Sequence, residues 1–415
     1  MHEGKGDKDD MSLKLAAVSV VAGLASAAAA LLFSFCIDLL SELYQGFTLL
    51  VWLLPFAGLL TYGLYHLLRV EFSTSTRSVL AGVDEGSHAP LALAPAIFIA
   101  TCLSIAFGGS VGKEAAALQM AGAIAPAVGG LFGLRDARSL RLFVLCGLGS
   151  ALAVLLGTPF AAAVFVFELF RPRRESLWSI VVVLVSTLLS EGLASAVQAD
   201  RLATQLTLPA ISLQLVGQAA LVIVIGAAVG ALFCLLLEQG RAFAGKHLNP
   251  IAWLIIGGLA YAALITLMGC YEVAGTGMSQ IAVALTGQVD YPLFALKLLL
   301  TSLVLACGFK GGEIMPTLCI GATFGCFMGV LMGGDAPFLA ALGMVVLFAA
   351  CTDCPLAAAL IGAEAFGIAG LPCYLIGAAA AYLLTSRLSL YRNSGRARDW
   401  PLLSRVPADE GEGEE

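Results

Sequence analysis

Pro159-Phe-Ala-Ala-Ala-Val-Phe-Val-Phe-Glu168 and Pro355-Leu-Ala-Ala-Ala-Leu-Ile-Gly-Ala-Glu364 share a proline, three alanines and a closing glutamate nine positions on, 196 residues apart. A second pair lies at nearly the same offset, where Gly108-Gly-Ser-Val-Gly-Lys-Glu114 answers Gly308-Phe-Lys-Gly-Gly-Glu313, and each leads into a Gly/Ala-rich helical run. Two pairs in register predict two structural halves, residues 12–200 and 213–395, joined by a linker at 201–212 and flanked by tails at 1–11 and 396–415. Halves whose helices are broken in matching places are the sequence pointer to a transporter site near the mid-plane of a membrane. The repeat alone leaves the relative orientation of the halves open.

The surroundings of these motifs are apolar. Hydrophobic residues make up 60% of the 415 and charged residues 12%, with a mean hydropathy of +0.94; a soluble domain carries about 25% charged residues. The apolar residues fall in long runs, Leu13–Phe33, Phe47–Leu68, Leu177–Val197, Leu213–Leu237 and Pro337–Cys351. Most approach the ~20 residues a helix needs to cross the hydrocarbon layer. The chain is therefore expected to be an all-α polytopic membrane protein. Met1–Asp10 is polar and mixed in charge, which reads as a cytoplasmic tail before a membrane helix and not as a cleaved leader.

Much of the net charge of −6 sits in Asp409–Glu415, a solvated tail, and no nucleic-acid partner is expected. Arg135, Arg138 and Arg141, Arg171, Arg173 and Arg174, and Arg392, Arg396, Arg398 and Arg405 lie between or after apolar runs. By the positive-inside rule these segments and both termini are expected to face the cytoplasm. The 11 cysteines are scattered over apolar segments and read as buried thiols. His2, His66, His88 and His247 show no ligand spacing, so neither a metal nor a cofactor is expected.

In a bilayer, irregular backbone survives only where it is buried in protein or lines a watery cavity. The breaks at Gly108–Gly109, Gly157–Pro159, Gly311–Gly312 and Cys354–Pro355 thus mark the working site. Glycines before a helix let successive N–H groups converge, and the helix start adds positive potential. That makes an anion site without a full charge, loose enough for an ion that must leave again. Glu114 stands where it competes for such amides. A carboxylate at membrane depth costs roughly 2.5–3.5 kcal/mol or more, and one that swings away on protonation, or is displaced by an anion, is a gate and a proton carrier. A phosphate loop does not fit Gly108–Lys113, because Glu114 stands where Ser or Thr would hold magnesium.

Gly108-Gly-Ser-Val-Gly-Lys-Glu-Ala-Ala-Ala-Leu-Gln119 resembles the G-[RK]-E-G-P-x-x-Q signature of the CLC chloride channel and transporter family. Gly308-Phe-Lys-Gly-Gly-Glu-Ile-Met-Pro316 with Gly321-Ala-Thr-Phe-Gly325 resembles its G-G-x-F-x-P and G-A-x-x-G stretch, and Gly147–Glu168 is similar to a further family segment. The likeness covers about residues 12–395. It implies a CLC-type inverted repeat of broken, tilted helices, working as a homodimer with a separate pore in each subunit. By motif it implies Glu114 as the gating glutamate, the amides of Ile314 and Met315 about the anion, and Tyr391 as the tyrosine whose hydroxyl reaches it; the glycine breaks themselves add Gly112 and Gly312 as expected amide donors. Phe72-Ser-Thr-Ser-Thr-Arg77 replaces the family's G-S-G-I-P loop, so Ser75 or Thr76 is left to supply a hydroxyl.

Departures from the family pattern bear on mechanism. Where proton exchangers of the family carry an internal glutamate this chain has Leu169, and Glu168 and Glu364 read as structural groups beside backbone donors. Glu313 resembles the fluoride-exporting branch, in which G-G-E-V-T-P is usual; Met315, Ala115 and Ala116 depart from both branches. The expected function is CLC-type passage of chloride or fluoride through the lipid bilayer, gated by Glu114, either exchanged for protons or passive. A polytopic lipid enzyme would need an interfacial Asp, His or Lys cluster, and the sequence has none.

Overall fold

The structure, a computed structural model, describes residues 3–170, 176–199, 202, 204–247, 249–289, 291–385 and 389–391. The arginines at 171, 173 and 174, those from Arg392 onward and the acidic tail lie outside these.

Among the described residues each half builds eight α-helices. The first contains α1 (Glu3–Gly46), α2 (Leu54–Leu67), α3 (Thr76–Asp84), α4 (Leu93–Ala106), α5 (Glu114–Leu131), α6 (Ala137–Leu156), α7 (Pro159–Leu169) and α8 (Leu177–Ala196). The second contains α9 (Leu213–His247), α10 (Pro250–Met268), α11 (Met278–Leu285), α12 (Leu293–Ala306), α13 (Ile314–Leu331), α14 (Ala336–Thr352), α15 (Pro355–Phe366) and α16 (Leu371–Thr385). Among the described residues, eight helical stretches are long and apolar enough to cross a membrane. α4, α7, α12 and α15 have 14, 11, 14 and 12 residues; at 1.5 Å per residue they fall short of the ~30 Å layer.

Local chemistry sets the boundaries. Asp136, Asn249 and Asp335 each accept a backbone N–H three residues on, at 3.0, 2.8 and 2.9 Å, and so start α6, α10 and α14. Pro159 and Pro355 open α7 and α15, where a missing N–H costs nothing. Between α6 and α7, Gly157 takes the left-handed conformation at φ 71°, so one helix stops and the next starts within three residues. Helices α13 and α14 meet at backbone distance: a Cβ on Gly343 would stand 2.3 Å from the Gly321 carbonyl oxygen. Small residues bring such helices together where lipid offers no hydrophobic drive.

The halves are inverted. Helices α7 and α15 lie antiparallel, the carboxylate near the end of each meeting the start of the other, and the starts of α5 and α13 meet head to head at an antiparallel bridge between Gly112 and Gly312. Counterpart helices that oppose one another in this way belong to halves related by an axis in the membrane plane.

The helix starts also correct the register of the repeat. α4 and α12, and α5 and α13, begin 200 residues apart, so Glu114 and Ile314 are counterparts, as are Lys113 and Glu313 at the caps. Matching glutamate to glutamate sets the second pair one residue off, because the start of the helix, and not the side-chain type, fixes the position. The helix after Glu114 also runs further than its Gly/Ala-rich start, through Pro126 to Leu131.

Candidate functional site

The two glycine-rich breaks meet in the interior. The Gly112 N–H donates to the Gly312 carbonyl at 2.6 Å and the Gly312 N–H to the Gly112 carbonyl at 2.7 Å. These amides are spent on each other, which corrects the expectation that Gly112 and Gly312 offer free donors; in this conformation they form the joint between the halves. Neither position tolerates a side chain. A Cβ on Gly112 would lie 2.8 Å from Pro316 Cδ, 3.0 Å from Met315 Cβ and 3.1 Å from Glu114 Oε2, and one on Gly312 would lie 2.8 Å from the Ala115 nitrogen.

Bonds across the halves fix the first break. The Ser110 hydroxyl pairs with Thr301 Oγ1 at 2.8 Å and donates to the Val273 carbonyl at 3.2 Å. Tyr261 donates its hydroxyl to the Gly108 carbonyl at 2.7 Å, and the Gly275 N–H donates to Gly109 at 3.2 Å.

Glu114 is the first residue of α5 and is 0% exposed. Neither carboxylate oxygen has a partner of standard hydrogen-bond geometry among the described residues, although the backbone N–H groups of Lys113 and Glu114 lie close to the carboxylate. Next to it, Lys113 donates to Ser34 Oγ at 2.6 Å and to Asp38 at 3.2 Å, which turns the lysine away onto α1. An ionised carboxylate left this way costs several kcal/mol. Taking up a proton, or swinging out of the pocket, removes that cost.

Ile314 and Met315, both fully buried, are the first two residues of α13. By helix geometry their N–H groups have no partner within the helix, and Pro316 has none to offer. Tyr391 is 4% exposed, and its buried hydroxyl has no partner of standard hydrogen-bond geometry among the described residues. Its place is set by Leu390, which donates to the Cys351 carbonyl at 2.8 Å, and by the Ser389 hydroxyl, which donates to the same oxygen at 3.3 Å. The carboxylate of Glu313 is a close electrostatic neighbour of the Tyr391 hydroxyl. The C-terminal segment thus returns to the start of α13.

The two hydroxyls offered by the first-half loop are held differently. Ser75 caps α3: its side chain accepts the Ser78 N–H at 3.3 Å while Ser78 Oγ accepts the Ser75 N–H at 2.9 Å. Thr76 is buried, donates to the Ala115 carbonyl at 3.3 Å and accepts from Gln119 Nε2 at 3.0 Å. Gln119, a turn beyond Ala115 on α5, has no role assigned from sequence although it stands in the quoted motif. Its signal is the four-residue spacing that brings residues 115 and 119 to one face of the helix.

Ser75, Thr76 and Gln119 line a cavity of about 500 Å³ together with Lys310, Glu313 and Ser389. Glu114, Ile314, Met315 and Tyr391 are absent from its lining. The open space stops short of the Gly112–Gly312 joint, with the buried Glu114 next to it.

Residues 73–386 match the sequence profile of a family described as voltage gated chloride channel. A chloride/fluoride channel protein of Pseudomonas syringae pv. tomato is 29% identical over 91% of this chain and 85% of its own length. The H(+)/Cl(-) exchange transporter ClcA of Vibrio parahaemolyticus is 26% identical over 65% of this chain and 61% of its own length. Among solved structures, a CLC-type fluoride/proton antiporter superposes with a TM-score of 0.86 at 27% identity, covering 91% of this chain and 97% of the other. A slow cyanobacterial Cl-/H+ antiporter shares the fold, with a TM-score of 0.76 at 19% identity over 90% of this chain and 95% of the other.

Proposed function

We propose that this chain, which belongs to the voltage gated chloride channel (CLC) family, moves chloride or fluoride across a membrane in exchange for protons, with Glu114 as gate and proton acceptor. The observation that carries the reading is Glu114 itself, fully buried, with no side-chain hydrogen-bond partner among the described residues, at a helix start against the joint of two broken helices. A group so placed alternates between blocking the path and leaving it, and each change is linked to a proton or an anion. The printed descriptions of the relatives, a chloride/fluoride channel protein and a fluoride/proton antiporter, support the same ions.

In this reading the anion rests on the N–H groups of Ile314 and Met315 and on the Tyr391 hydroxyl. Three donors without formal charge bind an anion without trapping it. Thr76 or Ser75 meets the ion at the cavity end, which faces the cytoplasm together with both termini of the chain. The working unit is a homodimer in a bacterial plasma membrane, each copy holding its own path.

The test is efflux from liposomes holding the purified protein, followed by chloride, fluoride and pH electrodes under an imposed anion gradient. Anion efflux with protons moving the other way is expected, and the electrode that responds names the ion. Glu114→Gln is expected to keep anion flux and lose proton movement. Proton coupling undiminished in that variant removes Glu114 from the role, and anion flux without protons in the wild type makes the protein a channel.

A further inference from the structure

Lys310 ties the second break to the loop that stands in place of the family's first-half motif. Its ammonium lies 4.3 Å from the ring centre of Phe72 and 4.8 Å from that of Tyr65. The two rings pack edge to face at 5.6 Å. The same nitrogen donates to the carbonyl of Phe72 and, at 3.4 Å, to that of Thr74. The gripped loop runs directly into Ser75 and Thr76, while Lys310 stands in the loop that runs into Glu313, Ile314 and Met315. One side chain therefore spans from the first half's hydroxyls to the second half's amides.

No carboxylate balances Lys310 in this arrangement. Its partners are two carbonyls and two rings, and no carboxylate comes within ion-pair distance of it among the described residues. Carbonyl dipoles and ring faces stabilise a cation without cancelling it. Lys310 also lines the 500 Å³ cavity, along with the cationic Arg77 and Arg241 and the acidic Glu238 and Glu313. The acidic pair leaves the wall of mixed sign, and Lys310 is the cation on the break that leads to the buried amides.

We propose that Lys310 is a positioning residue of the anion path: it holds the Phe72–Thr76 loop against the second break and draws the anion toward the cavity end of the path. The inference rests on the transport reading above. It also accounts for the departure of Phe72-Ser-Thr-Ser-Thr-Arg77 from the family pattern, since a loop clamped by a cation from the other half needs no glycine-rich turn of its own.

The experiment compares wild type, Lys310→Met, Lys310→Arg and Phe72→Leu in liposomes. It reads the half-saturating anion concentration, the chloride/fluoride preference and the thermal midpoint. Met keeps the apolar stem and loses the charge and its donors, and a roughly three- to ten-fold rise in half-saturating concentration with a changed preference is expected. Arg still stacks on both rings and donates to both carbonyls, so it should stay within about two-fold of wild type. Phe72→Leu keeps the charge but loosens the grip, and should change preference more than half-saturation. The inference is overturned if Met matches wild type in both transport readouts, if Arg is as impaired as Met, or if Phe72→Leu, which tests the clamp should Met fail to fold, leaves preference unchanged. Absence of anion flux in the wild type would instead remove the transport reading.

Discussion

Glu168 and Glu364 cap each other's helices. The Glu168 carboxylate accepts the N–H groups of Leu356 and Ala357 at 3.0 and 2.8 Å at the start of α15, and Glu364, near the end of α15, accepts those of Phe160 and Ala161 at 3.2 and 2.6 Å at the start of α7. Four orphan donors are satisfied by two charges, each at the positive end of a helix dipole. The motif that reveals the repeat in the sequence is thus the clasp that closes it.

Replacing either glutamate by glutamine removes the charge and leaves one oxygen to serve two donors. Each change is expected to cost about 1–3 kcal/mol of stability, read as a lowered thermal midpoint in detergent. The 11 residues of α7 set the two caps about 16 Å apart, beyond the ~7–10 Å within which substitutions couple. The double variant should therefore show the sum of the two losses. A double variant no worse than one single would mean that the two ends open together and do not act as separate caps.

The joint at Gly112 predicts a sharp steric effect. In Gly112→Ala the new methyl meets Met315 Cβ, the Pro316 ring and the Glu114 carboxylate within 3.1 Å, and a proline ring and a Cβ at a helix start cannot give way cheaply. Anion flux in liposomes should fall by at least about ten-fold, the equivalent of ~1.4 kcal/mol of path distortion, while the protein remains dimeric or monomeric as the wild type is by size-exclusion chromatography. Normal flux in this variant would detach the joint from the path.

Much of this arrangement is legible in the sequence, for reasons that the structure makes plain. Pro159 and Pro355 mark helix starts because proline suits the first turn, and Glu168 and Glu364 lie nine residues on, near the far ends of the same short helices. The hydrophobic excess sets the class, and the charge of Glu114 amid apolar segments points to the candidate site. What escapes is whatever depends on contact between distant segments. Nothing local says that the Gly112 and Gly312 amides face each other, that Lys113 turns toward Asp38 on α1, or that Gln119 holds Thr76. The register of the second pair is misread by one residue, because Glu114 and Glu313 share a side chain while Glu114 and Ile314 share a position in the helix.

Outside the bilayer, Asp136 predicts a pH effect. Its carboxylate accepts the Ser139 hydroxyl at 2.6 Å and the Ser139 N–H at 3.0 Å, and these bonds hold it below the usual carboxylate range. Stability from a depressed carboxyl is present above its unfolded value of about 3.9 and is lost as pH falls through the lower folded value. Asp136→Ala should cost about 0.5–2 kcal/mol near neutral pH, as the loss of a helix cap does. The gap to wild type should narrow once the acid range is entered, measured as the difference in thermal midpoint across pH. A gap of constant size down to the lowest pH at which both fold would assign the effect to helix propensity and not to the charged cap.

Tyr391 separates a binding role from a packing role by the sign of its effect on stability. The Tyr391 hydroxyl lies near the Glu313 carboxylate but has no partner of standard hydrogen-bond geometry among the described residues; a poorly satisfied buried hydroxyl adds little net stability, so Tyr391→Phe should leave the thermal midpoint in ion-poor buffer unchanged or raise it. If the hydroxyl meets the transported anion, the same substitution removes a donor from the path. The chloride/fluoride ratio should then shift by roughly five- to ten-fold, about 1–1.4 kcal/mol, which is part of the ~1.5–3 kcal/mol of one hydrogen bond to a charged group because both ions lose the donor. Fluoride, the smaller and harder acceptor, should lose more than chloride. Both readouts come from one protein preparation: the midpoint by thermal unfolding, the ratio from paired electrodes on the same liposomes. A lowered midpoint with an unchanged ratio would make Tyr391 an anchor for the C-terminal segment, held by Ser389 and Leu390 on the Cys351 carbonyl, and would leave the amides of Ile314 and Met315 as the donors of the path.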